Sequence, residues 1–284
     1  MDDNLIILAA GASSRMKQQM STNTSLTNEE LQQANKRSKA LISIDVSGRP
    51  ILDYLLYNAK KAGYKNIYIV TQKENELFKS LYQDNDRFRG MSIQFAIQYI
   101  QNNRVKPFGT ADALYQTLEQ YPELKKSPFT VCNSDNLYSV KAFQLLKENK
   151  TSPNALISYD RDTLQFSEER ISKFALMRFD KEGHLRDIIE KPSLDQLHKF
   201  KDNTGKLRVS MNIFKFDGNM FFNYLKNSPV NPTRNEKELP TALMNMIKEY
   251  PTSTIGIPLS EHVPDLTSKE DILILKEYLK NLRI

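Results

Sequence analysis

The chain has 284 residues, with 40 Lys and Arg against 34 Asp and Glu, a net charge of +6, 39% hydrophobic and 26% charged residues. That length suits one large α/β domain or two small ones, with ample material for a core. The mild basic excess contains no block of five like charges and no aromatic-basic interleaving, which argues against a nucleic-acid partner; the single cysteine, Cys132, excludes an internal disulfide.

Residues 5–9 (LIILA) read as a buried strand that ends abruptly in small residues. This run is too short to span a membrane and its flank, Met1-Asp2-Asp3, is acidic, so no membrane partner and a cytoplasmic location are expected. The polar stretch 17–38 follows. Within it Thr27 and Glu30 have capping-box spacing, which predicts a short helix after a loop at 24–26. So long a polar excursion beside a strand end suits either a lid or a passive surface loop. Residues 51–62 carry apolar positions at helical spacing and stop at Gly63. Strands are predicted at 67–71, 92–96 and 129–132, and helices at 75–82, 111–121 (stopped before Pro122) and 140–150. This βαβα rhythm predicts an α/β fold with a mostly parallel sheet and helices on both faces.

The rhythm changes after Pro153. Residues 155–159, 173–179, 185–189 and 208–216 read as strands with little helix between them, a smaller antiparallel region. Helical patterns return at 237–249 and 268–282. No repeat, low-complexity tract or linker divides the chain, so one domain over residues 1–284 is expected.

Ligands of an open parallel sheet bind beyond the carboxyl ends of its strands. Ala9-Ala10-Gly11-Ala12-Ser13-Ser14-Arg15 falls there. Its backbone N–H groups can form an anion nest, and Arg15 adds a planar cation suited to phosphate oxygens. It is neither a dinucleotide fingerprint nor a P-loop, since Gly11 is its only glycine and no Gly-Lys-Ser/Thr follows. Pro107-Phe108-Gly109-Thr110-Ala111 reads as a loop entering a helix N-terminus, with Gly109 permitting close backbone approach. In Val131-Cys132-Asn133-Ser134-Asp135-Asn136 an acid stands just past a strand end, where it can hold a hard cation or make an Asx turn. On residue chemistry alone Asp265 could serve the last helix as a cap, Glu190 and Lys191 could form a surface ion pair, and Asn212 could be a hydrogen-bonded sheet-edge residue.

Taken in order, these blocks resemble the sugar-1-phosphate nucleotidylyltransferases of the nucleotidyltransferase superfamily. Leu8-Ala9-Ala10-Gly11 with Ser14-Arg15, Lys39-Ala40-Leu41, Gly48-Arg49-Pro50, Gly109-Thr110-Ala111, Asp135, Glu190-Lys191-Pro192, the strand carrying Asn212, Asn235–Pro240, and Asp265 with Glu270-Asp271 span nearly the whole chain. The resemblance implies a Rossmann-like fold of the nucleotide-diphospho-sugar transferase type. Residues 1–150 would mainly bind the nucleotide, and 151–284 the sugar phosphate while supplying a second metal acid. It implies transfer of NMP from an NTP to a sugar 1-phosphate with loss of pyrophosphate, Mg²⁺ held by Asp135 and Asp265, and Arg15, Lys39 and Lys191 as catalytic cations. Ala9, Ala10, Gly11, Gly109 and Thr110 would surround the nucleotide, and Glu190, Lys191 and Asn212 the sugar phosphate. The chain departs from the family pattern at Ser13, Ser134 and Thr267, each standing for a glycine, and in a longer Arg15-to-Lys39 distance.

The Ser-Ser form also occurs in related cytidylyltransferases, so a non-sugar acceptor such as phosphocholine is an alternative, as is a non-catalytic nucleotide or sugar-phosphate sensor. Base, sugar and any homo-oligomeric assembly stay open. His184, His198 and His262 lack zinc-ligand spacing, and no nucleophile-elbow sequence exists. His262 is expected to be a solvated loop residue, and Cys132 a small buried hydrophobe.

Overall fold

Strand β1 (Asn4–Leu8) alternates its side chains between two cores, with Leu5 and Ile7 on one face of the sheet and Ile6 on the other. The computed structural model describes residues 3–18, 26–101, 104–190 and 194–280. After β1 come α1 (Asn28–Lys36), α2 (Ile51–Lys61), β2 (Asn66–Thr71), α3 (Glu76–Tyr82), β3 (Ser92–Ile97), α4 (Thr110–Gln120), β4 (Pro128–Asn133) and α5 (Val140–Glu148). The second half supplies β5 (Asn154–Asp160), α6 (Glu168–Ile171), β6 (Leu176–Phe179), β7 (Leu185–Ile189), β8 (Arg208–Val209), β9 (Ile213–Asp217) and α7 (Gly218–Lys226). It ends with β10 (Val230–Asn231), β11 (Glu236–Lys237), α8 (Leu239–Glu249), β12 (Thr254–Leu259) and α9 (Glu270–Lys280).

Ten strands form one mixed sheet in the order β3-β2-β1-β4-β9-β5-β8-β6-β7, with β12 beside β5. β1 to β4 are mutually parallel, as the βαβα rhythm predicts. The antiparallel strands continue that sheet across β9, β5, β8, β6 and β7. Leu52, Leu55, Phe143 and Leu146 from α2 and α5 cover one face, and Leu114, Phe221, Leu243 and Met246 from α4, α7 and α8 cover the other. Helices on both faces explain why β1 is apolar from Leu5 to Leu8 rather than alternating.

Four readings of the sequence need correction. The strand expected over 208–216 is two strands, because Asn212 takes a left-handed φ of 57° and redirects the chain from between β5 and β6 to between β4 and β5. The strand expected from 173 begins only at Leu176. Helix α7, starting at Gly218, is an element that the sequence pattern did not mark. The Asp217 side chain caps α7 by accepting from Met220 N at 3.0 Å, and a Cβ on Gly218 would stand 2.0 Å from Leu124 O. Strand β12 (TIGIPL) was hidden by its glycine and proline, yet it pairs with β5 in parallel, and the Phe179 ring occupies the space beside Gly256.

The polar segment is packed where it is described. The Thr27 cap exists, with Thr27 N donating to Glu30 Oε2 at 2.7 Å and Glu30 N to Thr27 Oγ1 at 3.3 Å. Ala34 and Leu26 share a small core with Met16, Leu266 and Ile272, and Lys276 pairs with Glu30. Residues 19–25, and with them most of the loop expected at 24–26, lie outside the described residues.

Candidate active site

At the carboxyl ends of β1 and β4, which lie side by side with Leu8 opposite Asn133, opens a cavity of about 340 Å³. Gly11, Arg15, Lys39, Gly109, Thr110 and Asp135 are in its wall. A neighbouring cavity of about 450 Å³ is bounded by Arg170, Glu190, Asn212, Arg234 and Asp265, and the two share Arg15, Asn133 and Asp135. Among the residues expected to act together, the structure thus gathers Arg15, Lys39, Asp135 and Asp265 where two compartments meet.

Tertiary contacts fix the loop after β1. Ala9 N donates to Val70 O at 2.8 Å, Ala10 O accepts from Gln72 Nε2 at 2.8 Å, and Ser38 Oγ donates to Ala9 O at 3.3 Å. Ser13, where the resemblance expects glycine, has φ 56°. Beyond it Met16 is fully buried, while Arg15 is exposed with no carboxylate partner among the described residues. An anchored backbone thus carries a cation free to meet an anionic ligand.

The second loop is built on Gly109, whose φ of 98° and ψ of 179° few other residues adopt. A Cβ there would lie 2.4 Å from Lys237 O. Lys237 N donates to Phe108 O at 2.7 Å, and Leu239 N donates to Thr110 Oγ1 at 3.0 Å, which locks this loop to the β10–β11 hairpin. Gln98, which also lines the first cavity, donates through Nε2 to Gly109 O at 3.0 Å and to Asp112 Oδ2 at 2.8 Å.

The two acids come from distant points of the chain and are laced together by backbone. Asn136 and Asp265 form an antiparallel bridge, Leu266 N donates to Asp135 O at 2.8 Å, and Leu137 N donates to Pro264 O at 2.9 Å. Lys39 Nζ donates to Asp135 Oδ2 at 2.9 Å. Asp265 Oδ2 accepts from Arg170 Nη2 and from Thr267 Oγ1, each at 2.8 Å. Burial pushes the Asp265 carboxyl above its usual range, and the nearby charge of Asp135 pushes it further. No Oδ1 of either acid accepts a hydrogen bond among the described residues. A hard divalent cation takes carboxylate oxygens and would relieve this repulsion, so the donor set fits Mg²⁺.

Glu190 stands in the wall of the second cavity, paired with Arg234 Nη2 at 2.6 Å, and Asn212 lines the same cavity. Lys191 lies outside the described residues. Sequence reasoning missed Arg170 and Arg234; a tertiary contact alone marks Arg170, whereas Arg234 directly precedes the Asn235–Pro240 stretch already singled out.

His262 is not a solvated loop residue. Its Nδ1 accepts from Gln165 N at 3.1 Å and its ring packs edge-on against Phe166 and Tyr278. Burial, with a smaller push from Arg170, lowers its pKa to about 4. Above pH 6.5 the imidazole is neutral folded or unfolded. Between 6.5 and 4 only the unfolded chain takes up the proton, so this group makes stability fall as pH drops through that window. Unfolding free energies of His262→Gln between pH 7 and 5 should show a flatter pH slope than those of the unmodified chain. An equal slope would reject the assignment. Among the other groups, Cys132 is buried as expected, and burial raises its thiol pKa. Asp180, Glu182 and His184 bring ligand atoms within 4.8 Å of one another at the β6–β7 turn, but Arg186 already holds Asp180 at 2.6 Å.

A family model described as nucleotidyl transferase matches residues 32–254, most of the chain. The chain belongs to the nucleotidyl transferase family. Among curated proteins this nucleotidyl transferase is similar to a glucose-1-phosphate adenylyltransferase of Bradyrhizobium diazoefficiens, 26% identical over 72% of this chain and 49% of the relative. It is also similar to one of Clostridioides difficile, 23% identical over 76% of this chain and 54% of the relative. The chain therefore spans about half the length of the curated relatives it matches. Among solved structures it shares the fold of a UDP-glucose pyrophosphorylase complexed with UDP-glucose, with TM-score 0.74, 16% identity and full coverage of both chains. That likeness accords with the α/β fold and mixed sheet expected of this family member. No helix among its described residues is long and apolar enough to cross a membrane.

Proposed function

We propose that the chain transfers a nucleoside monophosphate from an NTP to a sugar 1-phosphate. A phosphate oxygen of the sugar 1-phosphate bonds to the α-phosphorus of the NTP, the bond to the bridging oxygen of the β-phosphate breaks, and pyrophosphate leaves. The observation that carries this reading is the convergence of Asp135 and Asp265 at the junction of two cavities, with Arg15 and Lys39 beside them. Two compartments meeting at an acid pair suit two anionic substrates that must react with each other.

The nucleophile is already an anion, so no strong base is required. In agreement, no histidine lines either cavity among the described residues. The work left to the protein is positioning and charge neutralisation. Arg15 meets the negative charge growing on the pyrophosphate, and Lys39 assists it. The loops of Ala9, Ala10, Gly11, Gly109 and Thr110 cradle the nucleotide, while Glu190, Lys191 and Asn212 orient the sugar phosphate. Asp135 and Asp265 would hold Mg²⁺, which supplies Lewis-acid neutralisation of the reacting phosphates.

The similar proteins are glucose-1-phosphate adenylyltransferases and a UDP-glucose pyrophosphorylase holding UDP-glucose. A hexose 1-phosphate, glucose first, is accordingly the proposed acceptor, while adenylyl and uridylyl donors both need testing. The decisive experiment measures Mg²⁺-dependent pyrophosphate release with four NTPs crossed against sugar 1-phosphates and phosphocholine. Release with a sugar 1-phosphate supports the reading; release with phosphocholine alone, or none at all, rejects it. Within that assay Lys191→Ala is expected to raise KM for the sugar phosphate about tenfold or more and leave NTP affinity near its original value. An effect confined to the NTP would place Lys191 on the other substrate.

A further inference from the structure

Arg170 belongs to none of the motifs that mark the site, yet it is built into the acid pair. Its Nη2 donates to Asp265 Oδ2 at 2.8 Å and to Asp265 O at 3.3 Å, and its Nη1 donates to Asp271 Oδ1 at 2.5 Å. The segment that carries it is fastened over the acids by aromatic contacts. The guanidinium lies 4.4 Å from the Phe166 ring, which meets Phe174 at 5.5 Å and His262 at 4.8 Å. Asp271 is met a second time by Thr267 N at 2.8 Å and Ser268 N at 2.7 Å, ahead of α9. Across the cavity Lys39 holds one oxygen of Asp135.

Each acid of the pair therefore already has a cation on one oxygen. A bare divalent ion entering here meets two carboxylates that Lys39 and Arg170 partly neutralise, Arg170 sharing its charge with Asp271, so its electrostatic gain is smaller than at two unpaired acids. Lys39 rides on a flexible stem and can exchange Asp135 for a phosphate oxygen. Arg170 is pinned by two carboxylates and a ring and stays. We propose that Arg170 is a built-in counter-ion and positioning residue of the acid pair, which orients Asp265 and keeps affinity for a free divalent cation low, so that the ion is held only together with a polyphosphate. The triphosphate brings negative charge of its own and draws Lys39 away, which restores the attraction. This rests on the reading above that Asp135 and Asp265 are the metal acids.

The test is a Mn²⁺ titration of the full chain without nucleotide, followed by the electron paramagnetic resonance signal of free Mn²⁺. Arg170→Gln is expected to bind Mn²⁺ about tenfold tighter than the unmodified chain. Arg170→Lys, which keeps the charge, should stay within about threefold of it. In the Arg170→Gln background, adding Asp265→Asn or Asp135→Asn should abolish the gain. A gain that disappears with either Asp135→Asn or Asp265→Asn separates the acid pair from the Asp271 carboxylate that Arg170→Gln also frees, and thermal unfolding of each variant checks the fold. Unchanged or weaker binding by Arg170→Gln overturns the counter-ion role; if the acid variants still lower Mn²⁺ binding at high concentration, the metal reading survives that failure. A gain that persists after both acid substitutions overturns the metal reading itself, because the ion then sits elsewhere.

Discussion

Asp135→Asn is expected to lower turnover about a thousandfold or more while the protein stays folded. The substitution keeps shape and removes one charge. Asn still offers an oxygen to Lys39, whose Nζ now donates to Asp135 at 2.9 Å, and the backbone bond from Leu266 N to the carbonyl of residue 135 is untouched. Stability should therefore change little, with a melting temperature within a few degrees of the unmodified protein. The loss falls on chemistry: in the proposed reaction two phosphates must approach each other in a site where Asp135 is an acid shared by both cavities. Removing a group that supports charge only in the transition state commonly costs two to three powers of ten, and a metal ligand at least as much. Pyrophosphate release at saturating Mg²⁺ and substrates measures this directly. A rate within a few-fold of normal would remove Asp135 from the metal site.

The second large effect is expected from Gly109→Ala. A Cβ at this position would lie 2.4 Å from Lys237 O and 2.9 Å from Lys237 N, both backbone atoms that cannot rotate aside. The backbone there also sits in a region that costs a non-glycine residue roughly 1–3 kcal/mol. Together these should destabilise the protein by about 3 kcal/mol or drive the β10–β11 hairpin away from the loop. Either response opens the wall that the nucleotide is proposed to contact, so KM for the NTP should rise about tenfold or more. Calorimetric melting and initial rates at varied NTP check both parts. A variant with unchanged stability and KM would show that the close packing of this loop is not needed.

What the sequence made legible follows from how local each signal is. The strand of Leu5–Leu8, the small-residue loop after it, the Gly109 loop and the Thr27 cap each depend on neighbours within a few positions, and each lies where its pattern puts it. Ser13 is instructive: the resemblance expects glycine because the turn requires a positive φ, and Ser13 adopts 56° at a modest steric cost. The pairing of Asp135 with Asp265 was legible only through the resemblance, since no periodicity links residues so far apart. Arg170 left no signal, because it is an ordinary charged residue of the one-turn helix α6 until the aromatic contacts of Phe166 bring it to Asp265. Strand β12 was missed for a different reason. Glycine and proline lower strand propensity, but in-register parallel pairing with β5 overrides it.

The bridge between Asn136 and Asp265 means that the two proposed metal acids come together only once nearly the whole chain has been synthesised. One carboxylate emerges from the ribosome with the parallel half of the sheet, while its counterpart follows only after the antiparallel strands have been made. A polypeptide that stops short of Asp265 lacks one of the two proposed metal acids and the segment that reaches Asn136.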